Sequence, residues 1–453
     1  MEVVLNSSQA QQEQFQNKNR DIISSLPSAV ICRILSFMPT KDAVGTSILS
    51  RKWRYAWIAV PVLDFDITLP FNEGTPKQSE EKCFKQFVNR VLILRCDKIE
   101  TLRLKVINIS ERLYDHVNLW ICSAVMRNVE ELDLDCKSFE LPQILFSCKT
   151  IKILKLRQHK DKDFKIIESV SLPRLKVLHL LAFSAANLEK ILSGSPVLEE
   201  LVVRRDSSDY LTISLNVVSS SLKRLTIYQN TIRRGVDIRR VVVNAPKLEF
   251  FELDDFFSGY FTVMKVSSPI KAVIDVRSSC KNHALRILKR IPNVSDLCLS
   301  AYTVQALLRG SDEKFPRFNF LTRLEMTAYE NGWFMLPKIL KWSPNLEALT
   351  LYSYEVITSI HIDDDGYEFL DDTIFNEEMS VPSCLLSSLE SLELKRFEGD
   401  EAEMEVLEYF LKNASMLKIL KISVTVGVEK EAEILRMLLT FPRASPKCKI
   451  VLT

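Results

Sequence analysis

Apolar residues recur along most of this chain in one short pattern, apolar-x-x-apolar-x-apolar. The first copy is Ile99, Leu102 and Leu104, and further copies follow at intervals of roughly 22 to 30 residues. Alternating apolar positions over so few residues are typical of a short strand with one buried face. Because one strand cannot bury its apolar side alone, the copies are expected to stack into a solenoid.

The segments between the copies and the period of the pattern define the fold class. Each segment between two copies is a return segment that leads from one strand to the next. In the return segment at 113–125 the apolar residues have helical spacing, so it is predicted to be a helix on the convex side. One copy, Ile270 to Val276, is degenerate, because Asp275 falls at an apolar position. We expect an α/β fold, a leucine-rich-repeat solenoid shaped as a horseshoe, over 99–360 with a parallel sheet on its concave face.

A small helical module is predicted over 20–66. One helix begins at Pro27, which is well placed at a first helical position. Thr40 can cap a second short helix, and apolar residues over 49–60 mark a third. A unit of this size is only marginally stable alone and would be helped by a partner. The first helix places the following apolar residues on one face: Val30, Ile31, Ile34 and Leu35.

The remaining segments differ in composition. The polar, Gln-rich start is expected to be disordered, and the helical spacing of Phe84, Phe87 and Val88 predicts a capping helix after a turn-rich linker. An acidic segment without Lys or Arg is expected to form an exposed loop. The predicted domains are a tail at 1–19, the module at 20–66, linker and helix at 67–98, repeats at 99–360, the acidic loop at 361–379 and a C-terminal domain at 380–453.

The module resembles a known family. The run from Leu26 to Asp66, LPSAVICRILSFMPTKDAVGTSILSRKWRYAWIAVPVLDFD, is similar to the plant F-box pattern, although Ser28-Ala29 stand where that family often has acidic residues. The resemblance implies that the module binds a Skp-type adaptor protein. The residues that it assigns to this contact are Leu26, Pro27, Ile31, Ile34, Leu35, Leu49 and Trp53.

A second resemblance covers the C-terminal residues. Phe397-Glu398-Gly399, the run from Tyr409 to Ala414 and the run from Phe441 to Pro446 are similar to the FBD domain. The order strand, helix, strand, helix, strand would cap the solenoid and cover its apolar end. Over nearly its full length the chain therefore resembles the plant F-box/FBD/leucine-rich-repeat family.

The composition of the chain restricts the classes of partner and of site that we expect. The formal net charge is only +2, which gives no electrostatic reason to expect nucleic acid or a membrane as partner. No basic start precedes an apolar run, and no stretch of about 18 apolar residues is present. The ten cysteines form no CxxC pair and indicate reduced thiols in the cytoplasm or the nucleus. No spacing typical of a metal, cofactor or catalytic site is found, so we expect a non-catalytic protein without a cofactor.

Two sets of outward positions on the repeats are candidates for target binding. Rows of opposite charge at 101–105, 131–135 and 153–157 are either a patch for a target or ion pairs between neighbouring strands, and the latter is favoured. Farther along, the same alternation predicts that Tyr and Arg side chains, which often anchor protein interfaces, face the concave side. The residues of this predicted strip are His179, Arg204, Arg224 and Tyr228.

The resemblance implies a substrate-recognition subunit of an SCF-type cullin–RING ubiquitin ligase. The F-box would bind the Skp-type adaptor, and through it the cullin and the RING subunit, while the repeats hold a protein target. Two alternatives stay open from the residues alone. One is a repeat scaffold outside any ligase, with Ser28-Ala29 as its support, and the other is a small-molecule receptor.

Overall fold

The repeated apolar pattern is carried by short parallel strands, as its spacing predicts. The computed structural model describes residues 22–69, 77–95, 97–107, 109–136, 140–158, 166, 169–181, 185–206, 214–230, 240–255, 261–265, 270–277, 282–308, 315–328, 330–353, 374–375, 380–425 and 427–453. These residues divide into two compact units, one that ends at Leu175 and one that begins at Lys176.

The first unit contains the N-terminal module and the first repeats. Its helices are α1 (Ile22–Ser25), α2 (Ser28–Leu35), α3 (Thr40–Gly45), α4 (Lys77–Ile93) and α5 (Tyr114–Met126). Short 3-10 turns lie at Thr46–Ile48, Ala56–Ala59, Glu111–Leu113 and Gln143–Ser147. Its strands are β1 (Val62–Asp66), β2 (Thr101–Val106), β3 (Glu131–Cys136) and β4 (Ile153–Gln158).

These four strands pair in parallel in the order of the chain, β1 to β4. Leu102 and Leu104 of β2 are opposite Leu132 and Leu134 of β3, and all four are buried. Arg103, between them, is exposed on the other face. The strand period of two therefore separates a leucine core from a charged surface.

Helices α4 and α5 cover the apolar side, as their spacing predicts. Phe84 and Val88 of α4 are buried, and the ring of Phe84 meets Trp120 of α5 edge to face with centroids 5.9 Å apart. The indole N–H of Trp120 donates to Asn89 at 2.7 Å. The buried rings of Phe84 and Trp120, together with the hydrogen bond of the indole N–H, hold α4 and α5 against the first repeats.

The second unit carries the later repeats and the C-terminal region. Its helices are α6 (Ala185–Ser193), α7 (His283–Leu288), α8 (Ala301–Leu308), α9 (Leu336–Lys341), α10 (Ser383–Ser387), α11 (Glu401–Asn413) and α12 (Val428–Thr440), with a 3-10 turn at Glu330–Met335. Its strands are β5 (Val177–Leu181), β6 (Glu200–Asp206), β7 (Ser214–Val218), β8 (Arg224–Asn230), β9 (Arg240–Asn244), β10 (Phe250–Asp255), β11 (Phe261–Lys265), β12 (Ile270–Val276), β13 (Val294–Leu299), β14 (Arg323–Ala328), β15 (Ala348–Ser353), β16 (Ser391–Phe397), β17 (Ile419–Val424) and β18 (Lys449–Leu452).

The described residues of this unit form two parallel sheets. The larger has the strand order β5-β6-β8-β10-β12-β13-β14-β15-β16-β17-β18, and the smaller has the order β11-β9-β7. The strands of the smaller sheet lie in the return segments of three consecutive repeats. Leu215, Val217, Val241 and Val243 are buried between its strands and the core. Valine-rich returns favour strands because branched side chains pack well on a pleated surface.

The degenerate repeat is explained by a shift in register. Ala272 and Ile274 of β12 lie opposite Phe251 and Leu253 of β10 and are fully buried, whereas the pairing of β12 with β13 slips after Ile270. Asp275 therefore points to the outward face rather than into the core. The prediction that it occupies an apolar position was wrong because a one-residue slip exchanges the two faces of a strand.

The predicted third helix of the module is not an α-helix. Residues 51–55 form turns, and Ala56–Ala59 form a 3-10 turn whose Trp57 is buried. Thr40 is also not a cap, since Pro39 precedes α3 and the Thr40 hydroxyl accepts from the backbone N–H of Asp64 at 2.8 Å. Thr40 thus ties α3 to the first strand of the sheet.

The C-terminal domain has the predicted order of strand, helix, strand, helix, strand, formed by β16, α11, β17, α12 and β18. Asp400 and Glu403 form a reciprocal capping box at the start of α11. Gly399 lies in the left-handed region with φ of +72°, where a side chain would also meet Ile434. The Phe-Glu-Gly motif therefore marks a turn that only glycine fits easily.

Two predicted segments lie largely outside the described residues. The tail at 1–19 is entirely outside them, and of the acidic loop at 361–379 only Ile374 and Phe375 are described. Both of these residues are buried, and the ring of Phe375 stacks on Tyr409 of α11 with centroids 3.6 Å apart. At these two positions the segment is packed rather than exposed.

Candidate functional site

The N-terminal module presents apolar side chains to solvent. Helix α2 exposes Val30 and Ile34 to about two fifths of their area, while Ile31 and Leu35 on its other side are only 1% exposed. Helical spacing explains the division, since residues four apart lie on one face. The sequence prediction that all four share a face was therefore too coarse. One pair forms the core of the module and the other forms its surface.

The residues assigned to adaptor binding fall into two groups. Pro27, Ile34 and Leu49 are exposed and Leu26 is half-buried, so a partner can reach them. The structure places the other members of the set in the interior of the module, where they support the surface from beneath. These interior residues are Ile31, Leu35 and Trp53.

Sequence reasoning missed several exposed apolar residues of the module. Phe37 is 76% exposed and Ile48 is 90% exposed, and Phe37 lies seven residues after Val30 and three after Ile34. Ile23 and Tyr55 are exposed by more than half. The i, i+4, i+7 spacing of Val30, Ile34 and Phe37 was available in the sequence as a signal. Large apolar side chains kept in water on so small a unit indicate a protein-binding surface.

A buried arginine joins the module to the first repeats. Arg95, after α4, is 2% exposed, and its guanidinium donates to the carbonyl of Trp57 at 3.0 Å and also to that of Val60. Burial lowers the pKa of Arg95 to about 10, and the charge of Asp97 offsets only part of this effect. These bonds satisfy the carbonyls at the end of the module, so its last turn shares the interior of the first unit.

The charged rows of the first unit pair with one another across the sheet. Arg157 Nη2 lies 2.5 Å from Asp133, and its Nε lies 3.7 Å from Asp135. Arg103 lies 3.7 Å from Glu131, and Lys105 lies 3.1 Å from Asp66. The favoured interpretation, ion pairing between adjacent strands, is confirmed. These charges neutralise each other on the sheet and are only partly available to a partner.

The predicted target strip lies on adjacent strands of the second unit. His179 Nε2 is 3.0 Å from Glu200, and Arg224 Nε is 3.6 Å from the same carboxylate. Arg204 lies over the ring of Tyr228, 5.7 Å from its centroid, and the Tyr228 hydroxyl donates to Glu252 at 3.2 Å. The four predicted residues thus form two neighbouring groups on the outward face of β5, β6 and β8, one that joins His179 to Arg224 through Glu200 and one that joins Arg204 to Tyr228.

Two further residues extend this strip onto β10. Phe250 lies under the guanidinium of Arg224, 4.6 Å from ring centroid to Cζ, and Glu252 accepts from both Tyr228 and Thr226. Burial and the carboxylate of Glu252 raise the pKa of Tyr228, so its hydroxyl stays protonated and can donate. The parallel register was the missing signal, since Glu200, Arg224 and Phe250 stand on one rung. Aromatic rings held under arginines give a rigid surface of the type found at interface hot spots.

The described residues include histidines, cysteines and carboxylates, the usual protein ligands of metal ions. Within them, no group of three or more His, Cys, Asp and Glu side chains is arranged to hold a metal ion. Burial raises the pKa of Cys298 to about 12 and that of Cys384 to about 11, so both thiols stay protonated near neutral pH. Among the described helices, none is both long enough and apolar enough to cross a membrane.

Comparison with protein-family models identifies three regions. Residues 23–64 match the F-box domain, and residues 377–422 match the FBD domain. Residues 117–351, just over half of the chain, match the repeats described as "FBD-associated F-box protein At5g56370, LRR repeats". The three regions follow one another in the order of the sequence resemblance.

Curated relatives from Arabidopsis thaliana match over nearly the full length. The F-box/LRR-repeat protein At4g14096 is 34% identical, with 92% of this chain and 90% of the relative covered. The F-box/FBD/LRR-repeat protein At5g22660 is 31% identical, with 96% and 97% covered. The F-box/FBD/LRR-repeat protein At5g56420 is 30% identical, with 95% and 99% covered.

Proposed function

Because the chain belongs to the plant F-box/FBD/leucine-rich-repeat protein family, we propose that it is the substrate-recognition subunit of an SCF-type cullin–RING ubiquitin ligase. In this role the N-terminal module binds a Skp-type adaptor, which connects the chain to a cullin and a RING subunit. The repeats bind a protein that is to be ubiquitinated. The complex would act in the cytoplasm, the nucleus or both.

The observation that carries this proposal is the exposed apolar surface of the module. We define the adaptor surface by Leu26, Pro27, Val30, Ile34, Phe37, Ile48 and Leu49. Phe37 and Ile48 are exposed by more than three quarters. In the same module, Ile31, Leu35 and Trp53 form a buried core. Water disfavours such side chains, and a partner that covers them would stabilise both the complex and the module.

The second part of the proposal concerns the target. The strip of His179, Arg204, Arg224 and Tyr228, extended by Phe250 and Glu252, is the best candidate for target contact. Its arginines are placed over aromatic rings and its carboxylates are shared between neighbours. Such side chains lose little conformational freedom on binding, which favours affinity.

The mechanism that follows is tethering. The chain contributes no reacting group. By holding adaptor and target together it keeps lysines of the target near the ubiquitin-conjugating enzyme, and proximity raises the effective concentration of a reaction that is already competent. The strength of the effect depends on the two binding surfaces rather than on chemistry within this chain.

The test is co-purification of the full-length chain with a Skp-type adaptor and its cullin. Deleting residues 20–60 is a poor variant, because Trp57 and Val60 belong to the interior of the first unit. Leu26→Ala with Ile34→Ala, which changes surface residues, is expected to remove the adaptor. Leu119→Ala, an exposed leucine of α5, serves as a control that leaves it bound. If the double variant keeps the adaptor at wild-type level while folded, a repeat scaffold outside the ligase is the better account.

A further inference from the structure

The last strand of the second unit leaves one edge of its sheet open within the described residues. β18 pairs with β17 on one side, where the backbone N–H of Lys449 donates to Lys418 at 2.9 Å and that of Thr453 donates to Ile422 at 3.0 Å. Alternate residues of a strand direct their N–H and C=O groups to opposite sides. The backbone groups of Ile450 and Leu452 therefore point away from β17. A row of such outward backbone groups is a template with which another strand can pair.

Apolar side chains at this edge are less covered than those of the strand before it. Leu420 and Ile422 of β17 are fully buried, whereas Ile450 and Leu452, which lie opposite them in the register, are half-buried. On helix α12, which precedes β18 in the chain, Leu439 is 77% exposed. A strand added beside β18 would continue the sheet and bury part of this surface, which gives a hydrophobic contribution to binding.

The charges around the edge select the partner. Lys447 and Lys449 alternate along the approach to β18, and Lys421 is the register partner of Val451. All three are exposed, and among the described residues none of the three forms an ion pair. A second copy paired through β18 would bring two such lysine groups together, which disfavours self-association. A strand with carboxylates on the matching face would instead meet all three ammonium groups favourably.

We propose that the β18 edge, defined by Lys449–Leu452 with Lys421 and Lys447, is a docking site for an extended acidic segment of a partner protein. The segment adds a strand to the sheet through the outward backbone groups of Ile450 and Leu452. Its acidic side chains face the lysines, and its apolar side chains cover Ile450 and Leu452. This site shares no residue with the adaptor surface or with the target strip, and it gives the FBD region a binding role of its own.

The probe is a synthetic peptide of about six residues, the length of an ordinary strand, that alternates Glu and Val. Fluorescence anisotropy with the full-length chain is expected to show binding of this peptide and not of the version with Lys in place of Glu. Lys447→Glu with Lys449→Glu is expected to weaken binding at least about tenfold, or roughly 1.4 kcal/mol. Lys338→Glu with Lys341→Glu on α9, which changes the net charge equally at exposed positions, is expected to leave it unchanged.

A backbone variant tests the strand addition itself. Ile450→Pro removes an outward N–H while the bonds of Lys449 and Thr453 to β17 remain, and proline is tolerated at such edge positions. It is expected to weaken binding of the acidic peptide without changing the circular dichroism spectrum. Failure of the acidic peptide to bind, or equal binding by wild type and the β18 variants, would overturn the proposal. So would a dimer in sedimentation that the lysine variants abolish, since the occupant would then be a second copy.

Discussion

The guanidinium of Arg95 donates a hydrogen bond to the backbone carbonyl of Trp57 at 3.0 Å, and both residues are buried. The same guanidinium also donates to Val60. The N-terminal module is therefore held against the first repeats by a desolvated arginine. Thr40, which accepts from the N–H of Asp64 at 2.8 Å, ties α3 to β1, and β1 in turn pairs with β2 of the first repeat.

Replacement of this arginine is expected to loosen the module. In Arg95→Met the carbonyls of Trp57 and Val60 lose their donor inside the protein, which should lower the free energy of unfolding of the first unit by about 1–3 kcal/mol. Hydrogen exchange of the amides at 56–60 is expected to accelerate. Arg90→Met, at an exposed position of α4, is the control. It should change the free energy of unfolding by no more than about 0.5 kcal/mol and leave the hydrogen exchange at 56–60 as in wild type. Unchanged exchange at 56–60 in Arg95→Met would show that the arginine does not hold the module.

Glu130 gives the first unit a defined acid sensitivity. Hydrogen bonds from Lys152 and Lys98 hold its pKa at about 2, below the ordinary value of 4.5. The folded pKa is depressed, so this contribution to stability is present above pH 4.5 and is lost as the pH falls toward 2. Glu130→Gln should therefore destabilise the chain at neutral pH and differ less from wild type as the pH falls through this window.

Urea unfolding at several pH values measures that difference. The carboxylate is half-exposed, so the neutral-pH effect is expected to stay below about 1 kcal/mol. Glu140→Gln, at an exposed position without an ion pair among the described residues, should show no such convergence. A difference between Glu130→Gln and wild type that stays constant down to acid pH would contradict the role of the two lysines.

Gly399 is expected to be sensitive to the smallest substitution. In Gly399→Ala the added Cβ would lie 2.8 Å from Ile434, and φ of +72° is unfavourable for alanine. The variant should lower the free energy of unfolding of the second unit by more than about 1 kcal/mol. Gly427→Ala is the matched control, because its φ is −69° and a Cβ there meets nothing within 4 Å. Thermal unfolding compares the two, and equal midpoints would show that the Phe-Glu-Gly turn tolerates a side chain.

The target strip is expected to be separable from adaptor binding. Arg204→Ala with Arg224→Ala removes the cations over Tyr228 and Phe250, so capture of the target should fall by at least about tenfold, as for interface hot spots. The measurement is quantitative affinity purification with the proteasome inhibited, in which wild type and variant are compared for the same enriched proteins. Lys338→Ala with Lys341→Ala is the control. Identical recovery of every protein with the arginine variant would place target binding elsewhere.

Much of the fold was accessible from the sequence because the repeat has a strict period. Leu102 and Leu104 are buried and Arg103 is exposed as the alternation predicts. Asp275 was misplaced, because a slip of one residue at Ile270 leaves no mark in the composition of the strand. The small sheet of β7, β9 and β11 was also not predicted. The sequence of a short, valine-rich return segment is compatible with either a helix or a strand, and the neighbouring segments decide between them.

The candidate sites were predicted less completely than the fold. On α2 the sequence shows four apolar residues, but only packing decides that Ile31 and Leu35 turn inward while Val30 and Ile34 remain exposed. On the repeats, Tyr228 and Arg204 were identified by residue type. Glu252 and Phe250 were missed because they join the strip through the register of three parallel strands.

The most direct test of the proposed function is the affinity of the purified full-length chain for a purified Skp-type adaptor, measured by isothermal titration calorimetry. Ile34→Asp with Ile48→Asp places two charges on the adaptor surface and should weaken binding by at least about tenfold per residue. Leu439→Asp, at a leucine of α12 whose exposure of 77% lies between those of Ile34 and Ile48, should bind as wild type does. Tight binding by wild type that only the first variant loses is the predicted result. Wild-type affinity in the Ile34→Asp, Ile48→Asp variant, or no binding by the wild type, would contradict the proposed function.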